Sequence, residues 1–319
     1  MTTEPRIQPL VYLSWPTTEA MVRPVFGIER LTTIERIDGG LVNTMLRLTS
    51  KTGASVVLRV YAGDGAGFDL ERRLLPRLAE SLPVPEVQFA ADGEEYGTPP
   101  YLVYWWIDGI TLNECRRRHP PALETLAEPL GRLLAGIGAF APLDGLRRVR
   151  IPARLAEADE RLRDGLARTR LGAVPADRLR DLLAASRPEL ETLDDAVLMH
   201  GDFGGRNLLV RESGNGGWEI AGVVDWETAG AGSALWDVGS LFRYPHRYSA
   251  EFRDAFARGY RAAGGELPRG WWRLARLLDS TRQVATLAKA GELPTVFAEC
   301  RELVEAIVHA EPGKERDGA

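Results

Sequence analysis

Lysine is nearly missing from this chain of 319 residues: it occurs only at Lys51, Lys289 and Lys314, and arginine carries the rest of the positive charge. Nucleic-acid-binding surfaces gather basic residues into stripes. Here they are dispersed and the formal net charge is −5, which excludes a nucleic-acid partner and would suit a cationic substrate. The arginine bias fits a high-GC source. Cysteine is scarce as well. Cys115 and Cys300 stand far apart and in no metal-ligand spacing, so a disulfide framework is ruled out and both are expected as reduced intracellular thiols. No apolar run is long enough to span a bilayer, and the opening MTTEPRIQPL lacks a basic start followed by an apolar core. A soluble, cytoplasmic protein without a membrane partner is expected. There is no internal repeat, and 45% apolar content over this length can bury the cores of two lobes without covalent help.

What is present is concentrated in VLMHGDFGGRNLLV, followed by GVVDWE. Asn207 lies five residues after Asp202, and Asp225 eighteen after Asn207. In kinase-type phosphoryl transfer one Asp accepts or orients the substrate hydroxyl, and a downstream Asn and second Asp hold magnesium against the nucleotide phosphates. All three oxygen ligands occur here in that order. Val197–Met199 and Leu208–Val210 are apolar runs that hold the polar loop between buried strands, and residues 220–224 read as a strand ending at Asp225. A carboxylate at a strand end, facing a loop with Asp and Asn, suits a hard cation such as Mg2+. The alternative is a polar turn in which Asp202, Gly204, Gly205 and Asn207 serve backbone geometry and His200 is a core histidine.

HGDFGGRN, VVDWE and then WDVGSL around Asp237 resemble the aminoglycoside phosphotransferase and choline kinase superfamily, protein-kinase-like enzymes that phosphorylate small molecules. The resemblance implies Asp202 as catalytic base, Asn207 and Asp225 as magnesium ligands, and Asp237 with His200 as braces of the loop. It implies ATP or GTP as donor and an α+β, bilobal, kinase-like fold: a nucleotide-binding lobe at 1–104, a hinge at 105–109, and a larger helical catalytic and substrate-binding lobe at 110–319.

The first hundred residues read as a small sheet with one helix. Thr33–Ile37, Thr44–Thr49 and Ser55–Tyr61 are β-prone runs separated by the turn signals Asp38-Gly39-Gly40 and Lys51-Thr52-Gly53, giving three antiparallel strands. In a kinase-like fold IDGGLVN is the nucleotide-covering loop, which makes Gly39, Gly40 and Asn43 donor-binding candidates. The strand VVLRVY puts Arg59 where kinases carry a phosphate-contacting lysine, and the amphipathic FDLERRLLPRLAE carries Glu71, the partner that the resemblance implies for that cation. Guanidinium keeps the charge with a different geometry; the alternative is an ordinary surface ion pair. PPYLVYWWIDGITL is a strand leading into the implied hinge, with Trp105 and Ile107 as candidates for the nucleotide base, although tandem tryptophans also suit core packing.

Apolar residues at helical spacing predict helices at 123–140, 154–170, 178–193, 251–263, 271–289 and 293–309, with charges on solvated faces. Residues 145–193, between the first of these helices and the catalytic loop, are where substrate-specific structure is expected. The tail EPGKERDGA is expected to be disordered. The acceptor is expected to be a hydroxylated small molecule, an antibiotic or related natural product. A primary metabolite such as choline, homoserine or an amino-sugar is the alternative, and a nucleotide-binding pseudokinase would need a lost ligand that this chain retains. Oligomeric state has no sequence signal here.

Overall fold

The computed structural model describes residues 8–38, 42–63, 65–194 and 196–310. The chain divides into two compact units, one of Met1–Ile110, Leu208–Arg211 and Ala221–Thr228, the other of Thr111–Asn207, Glu212–Ile220 and Ala229–Ala319. A cut along the chain at the 105–109 segment leaves 208–211 and 221–228 with the second unit, whereas they pack with the first. Gly39, Gly40 and the tail from 311 onward lie outside the described residues.

The first unit begins with helix α1 (Trp15–Phe26), then strands β1 (Leu31–Arg36), β2 (Thr44–Ser50) and β3 (Ser55–Val60), helix α2 (Ala66–Leu78), and strands β4 (Val87–Ala91) and β5 (Tyr101–Trp105). The strands form one antiparallel sheet of order β1-β2-β3-β5-β4. The three expected strands are its first half. β4 was hidden by the prolines before it, and α1 was not expected at all: Ser14 caps it by accepting from the Thr17 N–H, and Pro24 falls within its last turn, where a proline is easily read as a break. β3 is central and every residue from Val56 to Val60 is buried, so SVVLRV runs apolar without alternation and Arg59 within it has no route to solvent. Met21 and Val22 of α1 join Leu48, Leu58, Val60 and Val103 in the core of this unit.

The chain continues through β6 (Ile110–Thr111), α3 (Leu112–Arg118), α4 (Pro120–Gly138), α5 (Ile151–Arg163), α6 (Leu166–Leu171), α7 (Ala173–Glu191), β7 (Val197–Met199), β8 (Leu208–Glu212), β9 (Trp218–Val223), β10 (Gly230–Gly232), α8 (Leu235–Leu241), α9 (Ala250–Ala262), α10 (Trp271–Leu287) and α11 (Pro294–Val308). The single helix expected over 154–170 is two, because Asp164 is extended and Gly165 has φ of 100°, which an L side chain rarely adopts. β6, β8 and β9 form a three-stranded sheet, and β7 pairs with β10 in the register Met199 to Gly230 and Val197 to Gly232. No helix among the described residues is long and apolar enough to cross a membrane.

Helices α4 and α9 meet at glycines. A Cβ on Gly131 would lie 2.1 Å from the Phe256 carbonyl oxygen, and one on Gly259 would lie 2.1 Å from that of Glu128. Both obstacles are backbone, so the helices must part to admit a methyl group. Gly131→Ala is expected to destabilise the protein by about 3 kcal/mol, at the upper end of overpacking costs, whereas Gly138→Ala, with its nearest neighbour at 3.9 Å, is expected to be tolerated. Urea melts of both variants check this; equal midpoints would contradict the close helix packing.

Candidate functional site

In the second unit, β7 delivers the chain into the loop His200–Asn207. Asp237, fully buried in α8, accepts from the His200 N–H through Oδ2 at 2.6 Å and from the Gly201 N–H through Oδ1 at 2.9 Å. Burial pushes its carboxyl above the ordinary range, opposed by His200 and by these two N–H groups. His200 Nδ1 accepts from the Asp202 N–H at 3.1 Å, so the ring carries no proton on that nitrogen. His200 and Asp237 therefore act on backbone, and their effect is to fix where the loop points. Asp237→Asn keeps the shape but turns one acceptor oxygen into a donor against an N–H; a loss of about 2 kcal/mol and a fall in kcat with KM nearly unchanged are expected, checked by thermal melts and initial rates.

Asp202 is the centre of a cluster that the sequence did not disclose. Arg206 Nη2 lies 2.5 Å from its Oδ2, Arg282 Nη1 3.3 Å from its Oδ1, and Arg243 Nη2 3.8 Å from the same oxygen. Burial alone would raise this carboxyl, but Arg206, Arg243 and Arg282 together bring it down to about 2. Arg243 is itself held by Asp279 at 2.9 and 3.0 Å, and Arg282 also donates to the Gly201 carbonyl. Arg206, in the loop, could have been suspected from the motif. Arg243 and Arg282 come from beyond α8 and from within α10 and had no signal in spacing. Asn207 is buried; its Nδ2 donates to the Asp202 carbonyl at 2.9 Å and to Oδ2 at 3.2 Å, leaving Oδ1 without a hydrogen bond among the described residues.

In the first unit, Arg59 is 3% exposed and faces three carboxylates: Nη1 lies 3.4 Å from Glu71 Oε1, and Nη2 lies 2.7 Å from Asp225 Oδ1 and 2.8 Å from Glu227 Oε2. The pair is not at the surface, and it is larger than a pair. Although burial opposes it, the guanidinium pKa is raised, first by Glu71. Burial also raises the Glu71 carboxyl despite Arg59. Glu71 accepts from the Trp226 N–H at 2.7 Å and from the Tyr61 hydroxyl, which ties α2 to the segment carrying Asp225. Asn43 spends its amide within the same network, Nδ2 on Glu227 and Oδ1 on the Ala62 N–H at 3.1 Å. Asp225 has φ of 71°, alone in this among the described non-glycine residues, a conformation that costs roughly 1 kcal/mol or more. Its Oδ2 makes no hydrogen bond among the described residues. Arg59 Nε is likewise buried without a partner among them.

The two hinge candidates differ. Trp105 packs on the core of the first unit, its ring 6.4 Å from Phe26, and its N–H donates to Glu86. Ile107 makes no backbone hydrogen bond among the described residues, and its side chain sits where a Cβ on Gly222 would come within 2.8 Å. Among the described residues no group of three or more His, Cys, Asp or Glu is arranged to hold a metal ion. That does not conflict with magnesium, which takes one or two protein oxygens and completes its shell with water and phosphate. Asn207 in the second unit and Asp225 in the first each keep one oxygen without a hydrogen bond among the described residues, and each is a ligand type that suits such an ion.

A model of a phosphotransferase enzyme family matches residues 33–302. Viomycin phosphotransferase of Streptomyces vinaceus is 29% identical over 191 residues, 59% of this chain and 61% of that protein, so the match spans less than two thirds of that relative's length. Likeness of backbone extends further. A point mutant of aminoglycoside 2'-phosphotransferase-IIIa in complex with GDP superposes with a TM-score of 0.73 at 19% identity, over 92% of this chain and 97% of that one. A thermostable mutant of aminoglycoside phosphotransferase APH(4)-Ia with ADP and hygromycin B gives 0.64 at 21% identity, over 92% and 99%. At these identities the solved structures speak for the fold. The family match takes in every motif described above, and the chain belongs to the phosphotransferase enzyme family.

Proposed function

We propose that this protein moves the γ-phosphate of ATP or GTP to a hydroxyl of a small molecule, in a Mg2+-dependent reaction, and that the acceptor is an antibiotic or related natural product. The observation that carries this reading is Asp202: a carboxylate held ionised, with both oxygens oriented, in a loop pinned by Asp237. With its carboxyl at about 2, Asp202 is a weak base and serves chiefly to align the acceptor hydroxyl, which suffices where the transition state is loose. The hydroxyl takes the place of Arg206 on Oδ2, since that guanidinium lies on the exposed side of the carboxylate.

Asn207 Oδ1, in the second unit, and Asp225 Oδ2, in the first, are each an oxygen that magnesium can take, and the ion would neutralise charge on the phosphates. Arg59 serves the donor by fixing the Asp225 carboxylate, since its own guanidinium is buried and engaged by Glu71, Asp225 and Glu227. Ile107, with its backbone groups uncommitted, is the better candidate for the base edge of the nucleotide, within a hinge at 105–109. The support for an antibiotic acceptor is the named relative, viomycin phosphotransferase, and the antibiotic held by one structural neighbour. The donor is left as ATP or GTP because neighbours of this fold hold GDP in one case and ADP in another. The test is Mg2+-dependent release of ADP and GDP against viomycin, aminoglycosides, macrolides, choline and homoserine. Stimulation by an antibiotic class supports the reading; stimulation by choline or homoserine alone would replace it with a primary-metabolite kinase.

A further inference from the structure

Residues 145–154 read GLRRVRIPAR, four arginines without an acid, in the part of the chain where substrate-specific structure is expected. Two of the four are spent: Arg150 on Asp194 at 2.5 Å and Arg154 on Glu157 at 3.1 Å. The side chain of Arg147 is exposed and makes no hydrogen bond or ion pair among the described residues. Its backbone is fixed. The Arg147 carbonyl accepts from the Ala231 N–H at 3.0 Å, and Ala231 lies in β10, the partner of β7, which runs directly into His200. A Cβ on Gly230 would come within 2.9 Å of that carbonyl, so the small residues of β10 are what let the arginine segment lie against it.

The electrostatic surroundings of Arg147 are unusual for an arginine. Lost hydration, then Arg154 and then Arg282 lower its pKa, with Glu157 opposing them. Arg282 is in turn the residue 3.3 Å from Asp202 Oδ1, and it is 30% exposed. Arg147, Arg154, Arg206, Arg243 and Arg282 thus stand against Asp202, Asp237, Asp279 and Glu157, an excess of one positive charge with the Arg147 guanidinium unpaired. A cationic acceptor meets repulsion there, and an anion relieves it. The overall charge of −5 pointed the other way, because it averages over a surface that this segment does not resemble.

We propose that the acceptor of this enzyme carries a carboxylate, held by Arg147 together with Arg282, alongside the hydroxyl presented to Asp202. This rests on the phosphotransferase reading and narrows its acceptor to anionic, hydroxylated molecules. Arginine is suited to the task, since its fork takes both oxygens of a carboxylate.

Three polyols of different charge test it on the full chain: gluconate, sorbitol and kanamycin, titrated calorimetrically in low salt with saturating MgADP or MgGDP present. Gluconate is expected to bind at least about tenfold more tightly than sorbitol or kanamycin, Arg147→Glu to abolish that preference, and Arg147→Lys to keep most of it. The proposal is overturned if kanamycin or sorbitol binds as well as gluconate, if Arg147→Glu leaves gluconate binding unchanged, or if the bound nucleotide abolishes it, which would make the arginines readers of the donor phosphates. Binding of MgADP or MgGDP in the absence of acceptor, read in the same calorimeter, separates the two levels. Nucleotide binding without a gluconate preference sinks the carboxylate inference alone, while no binding of either nucleotide by the unaltered protein sinks the phosphotransferase reading with it.

Discussion

Asp202→Ala is expected to lower phosphotransfer by roughly 10^3-fold or more while nucleotide binding, followed by calorimetry or thermal shift, is retained. The substitution removes the only carboxylate that the loop presents, and it releases Arg206, Arg243 and Arg282 from their shared partner. Asp202→Asn separates these effects, since it keeps the size and loses the charge. The pH dependence has a definite sign. A carboxyl lowered from 3.8 to about 2 on folding contributes stability above its unfolded value that is lost as pH falls through the folded one. Asp202 thus contributes on the order of 2 kcal/mol at neutral pH, and that contribution fades between about pH 4 and 2. The acid limb of the rate profile above pH 5 should then owe nothing to Asp202. A kinetic pKa near 6 that disappears in Asp202→Asn would show instead that this carboxylate works as a conventional general base.

Removing Arg59 is expected to be the most destabilising of the substitutions considered. Arg59→Met leaves Glu71 buried without its cation and lifts the restraint on Asp225 and Glu227, a loss of about 3–5 kcal/mol for breaking a buried ion pair from one side. Burial already raises Glu71 above the usual carboxylate range, so its protonated form is the one that folding favours. A group of that kind contributes most below its unfolded pKa and loses its contribution as pH rises through the folded value. Without Arg59 the Glu71 carboxyl should move higher still. The cost of Arg59→Met should therefore be smaller at pH 5 than at pH 8, as read from urea midpoints at the two values. A cost independent of pH would mean that packing, not the charge of Glu71, sets the penalty. Arg59→Lys should fall between, because a single ammonium cannot reach three carboxylates with two parallel N–H vectors.

These expectations differ in how far they could have been read in advance. Asp202, Asn207 and Asp225 lie within 24 residues of one another, flanking short apolar runs, and local pattern sufficed to name them. The first three strands were legible for the same reason, with turn residues at their ends. Arg59 and Glu71 could be paired by analogy, yet their burial could not be inferred from an arginine in a short strand. It follows from β3 lying in the middle of a five-stranded sheet, two of whose strands enter later in the chain. Arg282 was beyond reach altogether. Its helix α10 buries Arg276, Asp279, Ser280, Thr281 and Gln283, so polar residues there do not mark the solvent face and helical periodicity misassigns them. Arg147 had no signal apart from the arginine bias of the whole chain, and only the packing of its segment on β10, the partner of β7, links it to the loop His200–Asn207.

The central claim is that this chain transfers a phosphoryl group to a hydroxyl through Asp202. The most direct test is the mass of the acceptor after incubation with MgATP or MgGTP and the full-length protein, in parallel with Asp202→Ala. The account expects an acceptor heavier by one phosphoryl group, formed only with Mg2+ and lost in the variant. Nucleotide consumed to free phosphate with no acceptor modified, or an acceptor modified equally well by Asp202→Ala, would contradict it.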